Sequence, residues 1–280
     1  MIILKLGGSI LTNKNSKKAE VNYTNLNRIA NEIKNALINK GMDNFINNNS
    51  TDQGLVIIHG AGSYGHPPAK KYEIGNNFNN DEYPKKRIGF SKTQICVKKL
   101  NTIICDVLVN HGLPCVSIQA SSFITTKNKR INNFNLDLIE RYIDEGFIPV
   151  IYGDVVLDDE LKVAVLSGDQ ILQYIAINLN LSSKSNKKEV ILGTDVNGVY
   201  TKNPKKYDDA KHIPVLTSLD DIDELDSTTN IDVTGGMIGK IKELLELAEL
   251  GIESKIINAN EDGNILDALN NKDIKGTRIK

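Results

Sequence analysis

The chain opens with Ile2-Ile3-Leu4-Lys5-Leu6-Gly7-Gly8-Ser9, a mainly apolar run followed by two glycines. A short apolar run of this kind is typical of a strand that is buried on both faces of a parallel sheet. Two glycines directly after the strand let the backbone approach an anion closely, and Lys5 adds a fixed positive charge. The segment therefore predicts a buried strand with an anion-binding turn, although a tight turn beside a solvated lysine would have the same sequence.

The pattern of the opening segment recurs along the chain. Further apolar runs lie at 55–58, 147–151, 190–192 and 255–257. Between the runs, apolar residues recur at helical spacing in the segments 26–37, 171–179 and 237–248, and a longer helix is predicted over 87–110. Strands that alternate with helices predict an α/β protein whose mostly parallel sheet is covered by helices.

Length and charge narrow the classes of function. A chain of 280 residues suits one α/β domain with two lobes. Its 34 Lys+Arg against 35 Asp+Glu give a net charge of −1, which argues against a general nucleic-acid or anionic-membrane binder. No apolar run approaches the roughly 18 to 20 residues that span a bilayer, so we expect a cytoplasmic protein. The 3 cysteines form no C-x-x-C pair, which predicts neither a disulfide framework nor a zinc site.

A second glycine motif, His59-Gly60-Ala61-Gly62-Ser63-Tyr64-Gly65-His66, follows the run at 55–58 and contains G-x-G-x-x-G. A dinucleotide site would also need an acidic residue about 20 positions later at the end of a second strand. The acidic pair at 81–82 lies in polar sequence without such a strand, so we predict no dinucleotide site. His66 could donate hydrogen bonds to a phosphate or serve only the structure, and the prolines at 67–68 predict a rigid turn that leads into a short helix.

Three later turns also carry polar groups. Asp232-Val233-Thr234-Gly235-Gly236-Met237-Ile238-Gly239-Lys240 begins a helix, where backbone N–H groups and Lys240 would meet one anion, or where the helix is simply capped. Asp169, in the helix start at 167–170, could stabilise the helix dipole or orient lysines. The turn at 193–200 ends a strand and is either a hairpin or part of a nucleoside site.

Taken in order, these motifs resemble the amino acid kinase superfamily over essentially the whole chain. They are Lys-x-Gly-Gly-Ser at 5–9, His-Gly-x-Gly at 59–62, Ser-Gly-Asp at 167–169, Thr-Asp-Val-x-Gly-Val at 194–199 and Asp-Val-Thr-Gly-Gly-Met-x-x-Lys at 232–240. Within that superfamily, Lys14, the Ser-Gly-Asp form and Gly65-His66-Pro67 are similar to the isopentenyl phosphate kinases. The resemblance implies a three-layer αβα sandwich, with the phosphoryl acceptor on a lobe of residues 1–165, ATP on a lobe of residues 166–280, and a homodimer.

The resemblance also implies which residues form the site. For ATP it implies Lys5, Leu6, Gly7, Gly8, Ser9, Gly62, Asp195, Gly236 and Lys240. For the acceptor phosphate it implies Ala61, Gly65, His66 and Gly168. For catalysis it implies Lys5, Lys14, His66, Asp169 and Lys240, with Asp169 holding the lysines. Ala61 stands where relatives often have glycine, so a contact there needs the Ala61 N–H and a backbone without positive φ.

The implied partners are isopentenyl phosphate and ATP with Mg²⁺, in isoprenoid biosynthesis of the archaeal-type mevalonate route, with neither nucleic acid nor membrane. An acceptor that is already an anion needs no general base, so catalysis would consist of alignment and charge neutralisation. The alternatives are a kinase of this fold for a carboxylate, carbamate, nucleoside monophosphate or phosphonate antibiotic, and a non-catalytic anion-binding protein. Ile88-Gly89-Phe90 and Ile95 are predicted to form a wall of the pocket for the prenyl tail.

Overall fold

The computed structural model describes residues 1–13, 19–40, 54–181, 187–202, 204, 207–222 and 236–280. Lys14 and residues 232–235 of the turn at 232–240 lie outside the described residues. The strands are β1 Ile2–Leu6, β2 Leu55–His59, β3 Cys115–Ile118, β4 Ile124–Lys127, β5 Arg130–Phe134, β6 Ile148–Tyr152, β7 Asp154–Asp158, β8 Lys162–Leu166, β9 Glu189–Thr194, β10 Val199–Tyr200, β11 His212–Ile213, β12 Val215–Leu216, β13 Ser254–Asn258 and β14 Gly276–Ile279. The α-helices are α1 Gly8–Leu11, α2 Tyr23–Asn39, α3 Gly62–Lys71, α4 Tyr83–Asn110, α5 Asp137–Asp144, α6 Gly168–Asn178, α7 Gly236–Glu249 and α8 Asn264–Leu269.

The central sheet confirms the predicted parallel arrangement. Within the described ranges it has eight strands in the order β12-β14-β13-β9-β1-β2-β6-β3. β1 pairs in parallel with β2 and β9, and β9 pairs in parallel with β13, whereas β14 runs antiparallel to β13. The five apolar runs of the sequence all lie in this sheet. Because β1 sits between β2 and β9, the glycine turns that follow these strands meet at one edge.

Helices cover both faces of the sheet, which confirms the three-layer αβα sandwich. On one face, apolar side chains of α2, α4 and α8 pack against β1, β2 and β6. On the other face, those of α5, α6 and α7 pack against the same sheet. Both faces of β1 and β2 are consequently buried along their whole length, which explains why these strands lack a polar alternation. Among the helices that the structure describes, none is long and apolar enough to cross a membrane.

The long helix α4 is confirmed, and its apolar residues divide between a buried and an exposed side. Leu100 and Ile104 are buried, whereas Ile95 is 51% exposed and Ile88 is 56% exposed. Five residues of an α-helix span about 500°, so Ile95 and Leu100 point in directions about 140° apart. Ile88 and Ile95 therefore lie on the exposed side of α4, whereas Phe90 packs against buried residues of α3, β7 and β8; that these residues form a wall of the pocket for the prenyl tail stays a prediction.

A second sheet, which the sequence did not predict, lies beside the central one. Within the chain that the structure describes, it contains four strands in the order β5-β4-β7-β8. The chain first enters it after β3 and returns to it at Gly153, between β6 of the central sheet and β7, where the Gly153 N–H donates to the His59 carbonyl at 3.1 Å. This hydrogen bond fixes the second sheet at the edge where the glycine turns meet.

Candidate active site

The turns after β1, β2 and β9 contact one another through their backbones. The Gly7 N–H donates to the Gly193 carbonyl at 2.9 Å, and the Gly60 N–H donates to the Leu6 carbonyl at 3.0 Å. A Cβ atom at Gly8 would lie 2.4 Å from the Gly62 nitrogen, and one at Gly60 would lie 2.8 Å from the Gly8 nitrogen. Glycine is therefore required at both positions for the turns to approach this closely.

The turn after β2 accepts alanine at the position where relatives often carry glycine. Ala61 has φ −74° and ψ −23°, which is ordinary right-handed backbone. Gly62 has φ +50°, the conformation that favours glycine. Alanine at position 61 is therefore compatible with the backbone of this turn, and the Ala61 N–H is retained. The turn leads directly into α3 at Gly62, so the prediction that a rigid Pro67-Pro68 turn precedes the helix is wrong: both prolines lie inside α3.

Thr12 connects the turn after β1 with α3, although it belongs to none of the sequence motifs. Its Oγ1 donates to the Gly8 carbonyl at 2.8 Å and accepts a hydrogen bond from the Ser63 N–H at 3.1 Å. Its side chain is 3% exposed. A threonine shortly after a glycine turn carries no recognisable signal, because its partner lies 51 positions away in the chain.

Asp169 lies between two lysines from distant parts of the chain. Its Oδ1 is 2.7 Å from the Lys5 Nζ, and its Oδ2 is 3.8 Å from the Lys240 Nζ. The Lys5 side chain is only 3% exposed. Asp169 occupies the first turn of α6, where the helix dipole favours an anion. Its position therefore fits both predicted roles, stabilising the helix dipole and orienting the lysines. The Lys240 Nζ also donates to the carbonyl of Gly236, the first residue of α7.

Ser9 and Asp195 join the turns that follow β1 and β9. The Ser9 Oγ donates to the Asp195 Oδ1 at 3.0 Å across 186 positions of sequence. The Ser9 hydroxyl therefore has a fixed orientation next to the glycines at 7 and 8. The structure thus brings together the predicted nucleotide-side residues Leu6, Gly7, Gly8, Ser9, Gly62 and Asp195 at one edge of the sheet.

The predicted acceptor-side residues lie on α3 and at the start of α6. Gly65 faces Ala61, and a Cβ at Gly65 would lie 2.4 Å from the Ala61 Cβ. His66 follows on the next position of α3 and is partly exposed. Gly168 begins α6, and a Cβ there would lie 3.1 Å from the Lys5 Cε. The N–H groups at the start of α6 are therefore adjacent to the Lys5 side chain.

A buried polar layer, formed by His59, Asn101 and Tyr152, lies beneath the glycine turns. Its members come from β2, α4 and β6. The His59 Nδ1 donates to the Gly60 carbonyl at 3.0 Å, and its Nε2 accepts from the Asn101 Nδ2 at 3.1 Å. Its ring stacks on Tyr152, with the ring centroids 5.2 Å apart.

His59 is neutral in this environment. Its pKa is lowered to about 4, chiefly by burial; the hydrogen bond to the Gly60 carbonyl opposes this shift, and the positive charge of Lys5 adds to it. In the sequence, His59 stands out only as the first residue of a glycine motif. The signal that was missed is Asn101, a polar residue on the buried face of α4.

The comparisons with known proteins agree with this geometry. The model of the amino acid kinase family matches residues 1–258. The chain therefore belongs to the amino acid kinase family. Within that family it is similar to isopentenyl phosphate kinases. The isopentenyl phosphate kinase of Methanothermobacter thermautotrophicus is 49% identical over 282 residues, which cover 100% of this chain and 98% of that protein.

Two solved structures show the same similarity. A structure of isopentenyl phosphate kinase superimposes with a TM-score of 0.84 at 46% identity and covers 100% of this chain and 99% of that chain. The substrate complex of an isopentenyl phosphate kinase gives a TM-score of 0.74 at 25% identity, and the match covers 100% of both chains.

Proposed function

We propose that this chain transfers the γ-phosphoryl group of ATP to isopentenyl phosphate and releases ADP and isopentenyl diphosphate. An oxygen of the acceptor phosphate forms the new bond to the γ-phosphorus while the bond to the β,γ-bridging oxygen breaks. The observation that carries the proposal is the pair of lysines, Lys5 and Lys240, held by Asp169 next to glycine turns. The full-length similarity to isopentenyl phosphate kinases supports the identity of the acceptor.

The lysines act on the charge of the transferring group. Two phosphates repel each other, and catalysis of their reaction requires cations and N–H donors that are already in position. Asp169 holds the Lys5 and Lys240 ammonium groups near each other before any phosphate arrives. Each ammonium group has three donors, so one lysine can contact a carboxylate and a phosphate oxygen at the same time. Lys14 is proposed as a third lysine of this group.

His66 and nearby N–H groups fix the acceptor phosphate. The side chain of His66 donates to the phosphate, and the N–H groups of Gly65 and Gly168 add two further donors. The amide at Gly168 belongs to the start of α6, where the helix dipole favours an anion. The acceptor oxygen is ionised near neutral pH, so no residue has to remove a proton from it.

We further propose that ATP binds as its Mg²⁺ complex to residues 166–280 and that residues 1–165 bind the acceptor. Mg²⁺ bound to ATP neutralises phosphate charge and keeps several water ligands. Within the part of the chain that the structure describes, no group of three His, Cys, Asp or Glu side chains could hold a metal, so no residue is assigned to the ion. We also propose that the protein is a cytoplasmic homodimer that acts in a mevalonate route.

The decisive assay measures ADP release from MgATP with a panel of acceptors: isopentenyl phosphate, dimethylallyl phosphate, fosfomycin, acetylglutamate and UMP. We expect turnover with the two prenyl phosphates. Turnover with acetylglutamate, UMP or fosfomycin alone would favour another kinase of this fold, and no turnover with any acceptor would favour an anion-binding protein.

His66→Ala tests the acceptor site, with His111→Ala at the end of α4 as a matched control. Loss of the His66 donor should lower kcat/KM for isopentenyl phosphate by more than about tenfold, while His111→Ala leaves it unchanged. A value within about threefold of wild type for His66→Ala would overturn the assignment of His66.

A further inference from the structure

A basic pocket lies at the edge of the sheet opposite the glycine turns. It has a volume of 360 Å³ and opens where β9 and β13 begin and near the end of β14. β9 runs from Glu189 at this pocket to Thr194 at the glycine turns, a distance of about 17 Å at 3.3 Å per residue. The pocket is therefore separate from the site described above.

The lining of the pocket carries more positive than negative charge. Three cationic residues, Lys187, Lys255 and Arg278, line it together with two acidic residues, Glu189 and Glu253. Lys188 also lines the pocket, but its Nζ donates to the Ala176 carbonyl at 2.6 Å at the end of α6 and is not counted. Glu189 is partly neutralised: its Oε1 accepts from the Asn271 Nδ2 at 2.7 Å, and its Oε2 lies 3.6 Å from the Lys40 Nζ but accepts no hydrogen bond within the part of the chain that the structure describes. The excess of positive charge in the lining therefore remains after the carboxylates are counted.

Two of the cations have no carboxylate partner among the described residues. No acidic side chain of these ranges lies within 4.0 Å of the Arg278 guanidinium or of the Lys255 Nζ. Lys255 instead donates to the Asn271 Oδ1 at 3.0 Å. Burial lowers the pKa of Lys255; the carboxylates of Glu189 and Glu253 oppose this effect, while repulsion from the charges of Arg278 and Lys40 adds to it. An anion in the pocket would relieve this repulsion.

A buried hydroxyl provides a second, independent indication of a ligand. Ser254 lines the pocket and is 1% exposed. Its Oγ makes no hydrogen bond within the part of the chain that the structure describes. Buried hydroxyl groups nearly always have a partner, and an unpaired one costs stability. If the Ser254 side chain rotates towards the pocket, an oxygen atom of a ligand would supply the missing acceptor.

We propose that this pocket binds a small phosphate-bearing anion, at a site distinct from those for ATP and the acceptor. Arg278 offers the planar pair of N–H donors that fits two phosphate oxygens, and the lysines neutralise the remaining charge. Pockets for small molecules begin at about 300 Å³, so this one accommodates a diphosphate or a phosphate ester rather than only a bare ion. The proposal is independent of the proposed function.

Calorimetric titration with pyrophosphate, glycerol 3-phosphate and inorganic phosphate tests the site. In wild type with saturating ATP, we expect a binding event that ATP does not displace. K255Q/R278Q should weaken this event at least about tenfold, since two charged donors are lost. The matched control, K98Q/K99Q on the exposed side of α4, removes the same charge and should retain it. Lys5→Gln should also retain it while weakening ATP binding.

The preferred probe identifies the ligand. Tighter binding of pyrophosphate indicates a diphosphate group, and tighter binding of glycerol 3-phosphate indicates a phosphate monoester. In amide NMR spectra, either should shift the signals of 187–191 and 253–255 in wild type. Equal affinities of K255Q/R278Q and K98Q/K99Q, complete displacement by ATP, or no binding of any probe would each overturn the proposal.

Discussion

Acidification should destabilise the fold mainly through His59. The folded state holds this side chain neutral with a pKa of about 4, against 6.5 for an ordinary histidine. Between these two values the unfolded chain binds a proton at His59 and the folded chain does not. The free energy of unfolding therefore falls as the pH drops from 6.5 towards 4, and His59 contributes no pH dependence above that window.

The size of the effect follows from the difference between 6.5 and 4, which is 2.5 pKa units. At 1.36 kcal/mol per unit, the full contribution is about 3 kcal/mol, of which about 2.5 kcal/mol is lost by pH 4.5. This is a large share of a typical stability of about 5–15 kcal/mol. The physical cause is that the buried ring lies between Tyr152 and Asn101 and cannot carry a charge without water.

Urea unfolding of wild type and His59→Gln from pH 8 to pH 4.5 measures this contribution. Glutamine removes the titrating ring, so the variant should lack about 2.5 kcal/mol of the pH-dependent loss, whatever its stability at pH 8. The other histidines are common to both proteins and cancel in the comparison. Identical pH dependence in the two proteins would refute the reasoning. Should the variant not fold, NMR of wild type decides: a His59 ring that titrates near 6.5 refutes it equally.

Three further substitutions test the site. Asp169→Asn should lower kcat about 10²-fold or more while circular dichroism stays unchanged, because the two lysines lose their shared anion; unchanged kcat would contradict this role. Gly8→Ala should weaken ATP binding more than about tenfold, since its Cβ would lie 2.4 Å from the Gly62 nitrogen, and calorimetry with wild-type affinity would contradict it. Thr12→Val should lower the free energy of unfolding by about 2 kcal/mol through two lost hydrogen bonds, while Thr12→Ser retains most of it; equal urea midpoints would contradict this.

The central sheet could be predicted because its strands are apolar on both faces. The second sheet could not: β4 and β5 carry exposed polar residues such as Lys127 and Arg130, and their register shifts between Thr125 and Thr126. These strands owe their conformation to pairing with each other and to packing on the central layer, which local sequence does not contain. The antiparallel direction of β14 likewise depends on its pairing with β13, which its local sequence does not show.

The sequence indicates individual residues of the candidate site but not how they are arranged. Glycine turns after strands are visible in the sequence, whereas the contact of Ser9 with Asp195 spans 186 positions. The exposure of Ile95 could not be read from the sequence, because helical periodicity defines a face only relative to known buried neighbours. The role of His59 was missed because its environment comes from Asn101 and Tyr152, on two other elements.

The chain as a whole has a net charge of −1, yet its fold brings two lysines together at the candidate site. Lys5 is buried at the end of a central strand, where an isolated ammonium group would be strongly destabilising. Asp169 stabilises it, and the same carboxylate lies near Lys240. Neutral His59 beneath them adds no further cation to this cluster. The two lysines and the one carboxylate together carry a net charge of +1. The N–H groups of the glycine turns add hydrogen-bond donors for phosphate without adding charge.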